Sequence, residues 1–436
     1  MLTGPSDWRQ VKLGDVAAQE SNSFVDGPFG SNLKTTEYSD EGIRLIQLQN
    51  IGDGFWIDNN RKFIPPRKFE ELKRHAAYPG DIVIAKMADP LARACLIPPV
   101  AERFVVVADC IRLAPDLSQY DPRYLVHAVN HRDVRSQAEQ KSTGTTRERI
   151  NLSKLKTLEL WIPPLLEQHR IAEILDAAEE AIRQAERLIA KLRAVKAGLL
   201  ADLLTYGLDE HGHLRDPQAH PEQFKDSPLG RIPREWGVST IGDIAIQVGS
   251  GATPRGGNEV YKTEGVVFIR SQNVTFEGLL LDDVVYIDDD THRTMGRSEV
   301  FPHDVLLNIT GASIGRCCPL PKGLGVANVN QHVCAIRLPE PTHEGATFLS
   351  SVLASGIGQH QIHQLNAGGN RQGLNYEQLR SFIIPWPPPS ERAGITRALD
   401  THDSRIRAEE ATLVKLRQVK HGLMDDLLTG RVRVSP

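Results

Sequence analysis

Residues 196–205 read "KAGLLADLLT", and residues 420–429 read "KHGLMDDLLT", a near copy of the same helical ending. Upstream, Asn151 matches Asn375 at the same spacing. Looser matches continue toward the start of each copy, where the strand-like "GIRLIQLQNI" parallels "GVVFIRSQNV". A period of this length belongs to a domain and not to a short stacked repeat. The chain is therefore predicted to contain two copies of one domain-sized unit.

Each copy is predicted to end in a long amphipathic helix that opens after a proline pair, in "WIPPLLEQHRIAEILD" and "WPPPSERAGITRALD". Proline is tolerated there because the first backbone N–H groups of a helix have no intrahelical partner. Apolar residues then recur at alternating spacings of three and four, which is a heptad pattern. Gly207 and Gly430 follow the last periodic leucines, where helices commonly end. The two helices are predicted to pack on each other as an antiparallel coiled coil.

The remainder of each copy shows short β-like stretches, such as "DIVIA" and "DVLLNI", separated by Gly, Pro and Asn clusters. Residues 124–139 are predicted to form one amphipathic helix. The predicted fold class is α+β (mixed α/β), with two similar globular domains separated by the two helices and related by an approximate two-fold axis. The predicted bounds are 1–160 for the first domain, 161–206 for the first helix, 207–232 for a linker, 233–384 for the second domain and 385–430 for the second helix. The end of the linker, "DSPLGRIPREW", is expected to pack on the second domain.

Composition places the chain among soluble globular proteins, with 40% hydrophobic and 24% charged residues. The N-terminal stretch has no pattern of a secretory signal, and no apolar run has the length of a transmembrane helix. None of the five cysteines stands in a C-x-x-C pair. Cys95 falls opposite Cys318 in the repeat, and Cys110 opposite Cys334. This symmetry predicts buried thiols in a reducing cytoplasm, and neither a metal site nor a cofactor.

In order and in duplication, several stretches resemble the DNA-specificity subunit of type I restriction–modification systems. They are "DGPFGSNLKTTEYSDEGIRLIQLQNIGDG", "SGATPRGGNEVYKTEGVVFIRSQNV", the two proline-led helix starts, the paired "GLLADLLT" and "GLMDDLLT", and "FKDSPLGRIPREW". The second helix start departs from the usual pattern, with "PSER" where the first has "LLEQHR". The resemblance implies two target-recognition domains, each reading one half of a split, non-palindromic DNA site. It further implies a non-catalytic chain whose conserved helices dock two modification (methyltransferase) subunits, with restriction or translocase subunits as additional partners.

Charge supports DNA binding only in part. The net charge is −4; residues 8–150 hold 20 Lys and Arg against 19 Asp and Glu, and residues 236–374 hold 9 against 13. Proteins that bind DNA alone usually carry a basic excess, because phosphate neutralisation supplies much of the affinity. The basic residues must therefore be clustered, or partner subunits must supply much of the phosphate contact.

Three polar loops contain side chains that suit base edges, since Arg pairs with guanine and Asn or Gln with adenine. They are "KSTGTTRERIN", "NAGGNRQGLN" and "GSGATPRGGN", and the glycines of the third would let the backbone approach a phosphate. The predicted DNA-contacting residues are Arg93, Thr145, Arg147, Arg149, Thr253, Arg255, Arg316, Asn370, Arg371 and Gln372. Each loop could equally be a solvated turn, and Arg93 and Arg316 could form structural salt bridges. The Gln–Asn pairs at residues 49–50 and 272–273 are expected to have a structural role in turns.

Two lysines interrupt the apolar seam of the predicted helix pair at equivalent places. They could set the register of the pair or form part of a surface for other subunits. The predicted partner-binding residues are Lys196, Leu199, Leu203, Lys420, Leu423 and Leu427.

A self-contained DNA methyltransferase or nuclease is the alternative. A methyltransferase acting on an exocyclic amino group would carry [N/D]-P-P-[Y/F], and the nearest stretch, "ADPLA", lacks the second proline and the aromatic residue. For a nuclease, "PGDIVIAK" offers Asp81 and Lys86 but has Ile84 where the second acid should stand. A P-loop motif is absent from the sequence. No catalytic residues are therefore predicted.

Overall fold

The computed structural model describes residues 5–28, 32–87, 90–144, 148–366 and 373–434. The chain divides into two compact units, the first made of Met1–Arg187 with Glu410–Pro436 and the second of Leu188–Glu409. Each unit therefore combines a globular part with a piece of both long helices. Within the described residues, no helix has both the length and the apolar character that crossing a membrane requires.

The first unit contains two four-stranded sheets and a separate strand pair. The first sheet is antiparallel, with the spatial order Phe24–Asp26, Cys110–Leu113, Ile82–Ala85 and Ala94–Leu96. The second sheet has the order Phe63–Ile64, Ile43–Ile46, Phe104–Val106 and Ala76–Ala77, and its middle pair is parallel. Strand Arg9–Lys12 pairs antiparallel with Glu159–Ile162.

The second unit repeats both four-stranded sheets and the separate strand pair, and it adds two further short strand pairs. Its antiparallel sheet has the order Gln247–Ser250, Val333–Arg337, Val305–Asn308 and Cys317–Pro319. Its other sheet has the order Val285–Ile287, Val266–Ile269, Ala327–Val329 and Glu299–Val300, again with a parallel middle pair. The remaining pairs are Gly237–Thr240 with Ile383–Trp386, Phe224–Ser227 with Gly230–Pro233, and Val274–Thr275 with Gly278–Leu279. The predicted duplication is confirmed, because both copies build the same sheets in the same order.

Short helices cover these sheets. In the first unit they are Pro66–Leu72, Pro122–Asn130, Arg132–Gln140 and Leu152–Leu155. In the second unit they are Ile241–Ile244, Asp289–Thr294, His343–Ala354, Gly356–Asn366 and Tyr376–Arg380. The matched asparagines have the same role in both copies, since Asn151 and Asn375 each cap a helix by accepting a hydrogen bond from the backbone N–H three residues later.

The single helix predicted over residues 124–139 is wrong. His131 has extended backbone angles and separates two shorter helices. Its ring accepts a hydrogen bond from the backbone N–H of Asp133, so the residue caps the second helix. A side chain that competes for backbone groups in this way favours helix ends over helix interiors.

The two long helices are Leu165–Tyr206 and Pro389–Leu427, with 42 and 39 residues. Their predicted starts lie too early, because the residues before each proline pair extend strands at the edge of the globular part. Gly207 and Gly430 have φ values of 63° and 72°, a left-handed conformation that costs glycine little. This conformation ends each helix where the sequence indicates.

In each unit the two long helices run antiparallel. In the first unit, Lys420 forms an ion pair with Glu179, and Arg417 lies 2.6 Å from Glu186. In the second unit, the amino group of Lys196 lies 2.5 Å from the carboxylate of Asp403. Both seam lysines therefore engage the opposite helix of their own unit.

The apolar residues of the helix ends belong to the cores of the globular parts. Leu203 and Leu204 pack in the second unit with Trp236 and Leu399, and Leu427 packs in the first unit with its own set of buried side chains. Ile232 and Leu229 also contact the second core, so the end of the linker packs on this unit as expected.

The described cysteines are buried and unpaired, which confirms the prediction of buried thiols. Burial raises the pKa of each thiol to about 12, as seen for Cys95 and its counterpart Cys318.

A glutamate in the first turn of each long helix binds an arginine that arrives from beyond the end of the other long helix. In the second unit, Glu391 accepts from Arg215 at 2.5 Å and from the backbone N–H of Leu208 at 2.8 Å. In the first unit, Glu167 accepts from Arg433 at 2.8 Å and from the indole of Trp8 at 3.2 Å. The two glutamates are equivalent positions of the repeat, whereas the arginines come from segments of unrelated sequence.

Candidate nucleic-acid interface

One end of the antiparallel sheet in each unit gathers the predicted loops, and we call it the loop edge. In the second unit it is formed by the strand ends at Ser250, Val333, Asn308 and Cys317, which are neighbours across the sheet. In the first unit the equivalent strand ends are Asp26, Cys110, Ala85 and Ala94. Loops that follow or precede these residues emerge at one place on each unit.

The two loops before the matched asparagines reach the loop edge by the same contact. In the first unit, the backbone N–H of Ile150 donates to the carbonyl of Lys86 at 2.9 Å. In the second, the N–H of Leu374 donates to the carbonyl of Ile309 at 2.8 Å. The first loop is also closed by backbone hydrogen bonds in both directions between Thr143 and Arg149. The described ends of both loops therefore lie at the loop edge.

Charged side chains dominate the loop edge of the first unit. Lys86, which is buried, lies 3.2 Å from the carboxylate of Asp26. Arg149 forms an ion pair with Asp109, and half of its side chain, 51%, stays exposed. His75 lies beside them, with Nδ1 2.6 Å from the carbonyl oxygen of Asp26, and its burial lowers its pKa. The exposed guanidinium of Arg149 is thus held by a carboxylate at this edge.

Hydroxyl, amide and imidazole groups stand at the loop edge of the second unit. Thr310 Oγ1 lies 2.6 Å from His332 Nδ1, and Gln331 Nε2 lies 3.0 Å from His332 Nε2. The hydroxyl of Thr253 donates to Gln331 Oε1. Ser250 Oγ lies 2.5 Å from the hydroxyl of Tyr376. The two units therefore present different chemistry at equivalent places of one topology.

A glycine at each loop edge is required by close backbone contact. A Cβ atom on Gly27 would lie 1.9 Å from the carbonyl oxygen of Val107, and one on Gly251 would lie 1.7 Å from that of Val329. The glycines of "GSGATPRGGN" were expected to let the backbone approach a phosphate. This expectation is wrong for Gly251, because the carbonyl of Val329 occupies the space beside its Cα.

The structure separates two arginines that the sequence treats as equivalent. Arg93 donates to the carbonyls of Ile51 at 2.6 Å and Leu48 at 2.9 Å, so its guanidinium serves the fold of the first unit. Arg316 is exposed, and among the described residues its side chain has no hydrogen-bond or ion-pair partner. The guanidinium of Arg316 is therefore available to contact a phosphate. The guanidinium of Arg93 is already hydrogen-bonded, but to backbone carbonyls and not to the carboxylate of the salt bridge that the sequence left possible.

The other predicted DNA contacts fall into two groups. Arg255 is exposed in the loop that follows Ser250, and Thr253 of the same loop is bound to Gln331. Thr145, Arg147, Asn370, Arg371 and Gln372 lie outside the described residues.

The expected turn role of the buried asparagines agrees with the structure. The side chain of Asn50 accepts from the N–H of Gln47 at 2.9 Å and donates to the carbonyls of Ile57 and Asn59. Asn273 makes the equivalent bonds, accepting from Arg270 at 2.9 Å. The amide groups of both asparagines are buried and hydrogen-bonded within the turn, so they do not contact a base.

Sequence reasoning missed the polar residues Thr310, Gln331, His332 and Tyr376. A signal was present, because Gln331 and His332 stand directly before a strand of the repeat, where the first copy has Asp109. Their convergence depends on which strands are neighbours, and that was not predicted.

The four predicted partner-binding leucines differ in how deeply they are buried. Leu203 and Leu427 are 1% and 3% exposed, and Leu199 and Leu423 pack against the same cores. A partner could reach Leu203 and Leu427 only after the cores opened, whereas Leu199 and Leu423 are only partly buried and their role in partner binding stays a prediction. Exposed apolar side chains on the long helices are instead Leu166, Val195, Val414 and Val419.

Among the residues that the structure describes, no three His, Cys, Asp or Glu side chains come together as ligands.

Comparisons with known proteins agree with the duplicated topology. A family profile described as "Type I restriction modification DNA specificity domain" matches residues 5–194 and 233–418. The putative type I restriction enzyme MjaX specificity subunit of Methanocaldococcus jannaschii is 23% identical over 99% of this chain and 95% of its own length. The MjaVIII specificity subunit of the same organism is 20% identical over the same shares.

Two solved structures share the fold. The S subunit of a type I restriction–modification system from M. genitalium aligns with a TM-score of 0.58 at 14% identity, covering 98% of both chains. A chain from a structure of complex assembly and conformational transition in the type I R-M system aligns with a TM-score of 0.57 at 17% identity, covering 99% of this chain and 100% of that one. With both halves matched by the profile, this chain belongs to the type I restriction–modification DNA specificity family.

Proposed function

We propose that each unit reads one half of a bipartite, non-palindromic DNA site with its loop edge, and that the chain itself performs no catalysis. The observation that carries this proposal is the pair of loop edges, which share one topology and differ in every polar side chain described above. Base edges are distinguished by matching donors and acceptors, so different side chains at equivalent places suit different half-sites.

Partner subunits supply the methyl transfer and, where present, the cleavage. We propose residues 1–160 and 233–384 as the recognition domains, 207–232 as the linker, and the helices Leu165–Tyr206 and Pro389–Leu427 as the spacers. The exposed valines of the long helices, Val195, Val414 and Val419, are the proposed contacts for two modification subunits, and restriction subunits would join the same complex. Burying these apolar side chains against a partner removes them from water and so stabilises the complex.

Phosphate binding by the second unit is proposed to use Arg255 and Arg316, which are exposed near its loop edge. The first unit offers Arg149. Few arginines are thus available for phosphate contacts, which agrees with the net charge of −4 and with partner subunits that supply further phosphate contacts.

The experiment is an exchange of residues 1–160 with those of a relative, followed by sequencing that detects base methylation after co-expression with the modification subunits. One half of the methylated motif is expected to change while the other half stays the same. A simultaneous change of both halves would contradict independent reading. Methyl transfer from labelled S-adenosylmethionine to DNA by the isolated chain would contradict the non-catalytic role.

A further inference from the structure

The loop edge of the second unit contains a continuous chain of hydrogen bonds between side chains. It runs from Thr253 through Gln331 and His332 to Thr310. Gln331 is exposed and His332 is half-buried. The chain therefore connects a solvent-facing amide to the interior of the edge.

The backbone beneath this chain is fixed on both sides. The N–H of Asn330 donates to the carbonyl of Ile269 at 3.0 Å, and the N–H of Ile309 donates to the carbonyl of His332 at 3.0 Å. The N–H of His332 also donates to the side chain of Asn330 at 3.1 Å. A side chain placed on such a turn loses little conformational entropy on binding, because its backbone is already ordered.

The hydrogen bonds assign the donors and acceptors of the chain. Gln331 Nε2 can only donate, so His332 Nε2 accepts. A neutral imidazole then carries its proton on Nδ1, which donates to Thr310 Oγ1. One N–H of the Gln331 amide is used by His332, and one lone pair of its oxygen is used by Thr253.

One donor and one acceptor of the Gln331 amide remain for a ligand. In the major groove, adenine presents an N6–H₂ donor beside an N7 acceptor, and the glutamine amide is complementary to this pair. In the first unit the position equivalent to Gln331 is Ala108, which has no amide, and the position equivalent to His332 is Asp109, which is bound to Arg149.

We propose that Gln331 reads an adenine in the half-site of the second unit, and that Thr253, His332 and Thr310 position its amide. The inference rests on the proposed function, since it requires the loop edge to face DNA bases. Gln331 is the specificity-determining residue, and the other three act through it.

The test begins with selection from a random-sequence duplex DNA library by the full-length chain, in complex with its modification subunits where these copurify. Gln331→Ala is expected to make one adenine position of the consensus degenerate, lowering discrimination there by about 5- to 150-fold. All other positions should stay as in the wild type. Gln331→Glu is expected to favour cytosine at the same position, because a carboxylate accepts from cytosine N4.

The positioning role has its own matched pair of variants. Thr310→Val removes the hydroxyl that holds His332 and is expected to relax the same adenine position. Thr310→Ser keeps the hydroxyl and is expected to keep the consensus. Equal consensus sequences for both variants would overturn the positioning role, as would relaxation of a different position by Thr310→Val.

Binding to a site that carries 7-deazaadenine at the assigned position tests the atoms directly. The wild type is expected to lose about five- to tenfold in affinity, because the N7 acceptor is gone, whereas Gln331→Ala should lose nothing further. An equal loss in both proteins would overturn the inference, as would an unchanged consensus for Gln331→Ala. A wild type that enriches no sequence would overturn the proposed function itself and this inference with it.

Discussion

The side-chain amide of Asn308 donates a 2.8 Å hydrogen bond to the backbone carbonyl of Ser271. In the first unit the equivalent carbonyl, that of Leu48, receives the guanidinium of Arg93 instead. The residue matching Asn308 there is Ala85, which has no amide to offer. Because Asn308 serves this carbonyl in the second unit, Arg316, the counterpart of Arg93, is exposed at the loop edge, where its side chain has no hydrogen-bond or ion-pair partner within the described part of the chain.

This exchange of roles predicts opposite effects for the two arginines. Arg316→Ala is expected to weaken DNA binding and to lower the slope of log affinity against log salt by about 1, with unfolding unchanged. Arg93→Ala is expected to destabilise the first unit by about 1.5–3 kcal/mol, because the carbonyls of Ile51 and Leu48 lose a charged donor. Salt-dependent binding isotherms and urea unfolding measure the two effects. Equal losses of stability in both variants would refute the exchange.

Buried and exposed apolar residues of the first long helix should separate stability from assembly. Leu203→Ala is expected to cost about 2–5 kcal/mol of unfolding free energy, because it opens a cavity in the core of the second unit. Val195→Ala should change stability by less than about 0.5 kcal/mol. Co-purification with modification subunits should fall in Val195→Ala while circular dichroism stays unchanged. If Val195→Ala assembled fully, Val195 would not belong to the docking surface.

The ion pair between Arg215 and Glu391 is buried, with side chains 8% and 7% exposed. Glu391→Met alone is expected to destabilise the second unit by up to about 3–5 kcal/mol, since it leaves the buried Arg215 with the exposed Glu235, 3.9 Å away, in place of its buried carboxylate. The double variant Arg215→Met/Glu391→Met should recover most of this loss, because no unpaired charge remains. Chemical unfolding of the single and double variants measures both effects. A double variant as unstable as the single one would contradict the expected recovery of stability.

Asp58 should make stability depend on pH in the acid range. The hydrogen bond from Arg44 holds the pKa of Asp58 down at about 2, below its ordinary 3.8. A carboxyl with a lowered folded pKa stabilises the native state above its unfolded pKa, and this contribution is lost as pH falls toward the folded value. Asp58→Asn is therefore expected to be less stable than the wild type at pH 6, with the difference shrinking between pH 4 and about 2. Urea unfolding of both proteins across this range is the measurement, and a stability difference that does not shrink on acidification would contradict the prediction.

The cysteines provide a probe of global opening. With pKa values raised to about 12 by burial, as for Cys110 and Cys334, the thiols are expected to be unreactive toward a disulfide reagent at pH 8 in the native protein. After unfolding in guanidinium, all five should react. Rapid labelling of one thiol in the native protein would identify a locally open segment.

The ends of the long helices and the duplication could be predicted because they depend on local signals. The glycines at 207 and 430 and the heptad pattern act within a few residues of the chain. The break between two helices at His131 was not predictable in this way, because the apolar spacing continues across it. The break depends on a single side chain, that of His131, which caps the second helix. The roles of Arg93 and Arg316 depend on which carbonyl a neighbouring strand brings near, and the repeat alone assigns both residues the same role.

The contact between Glu167 and Arg433 in the first unit has a consequence for synthesis. Glu167 leaves the ribosome long before Arg433, and the whole second unit is made between them. Residues 188–409 form a continuous segment and can complete their contacts first, although N-terminal domains generally fold first. Until residues 410–434 emerge, Ile171 and Leu175 lack the leucines of the second helix that complete their core. The nascent first unit thus exposes an apolar stripe for the time needed to translate an entire domain, and this interval is when chaperone binding or misassociation would act on it.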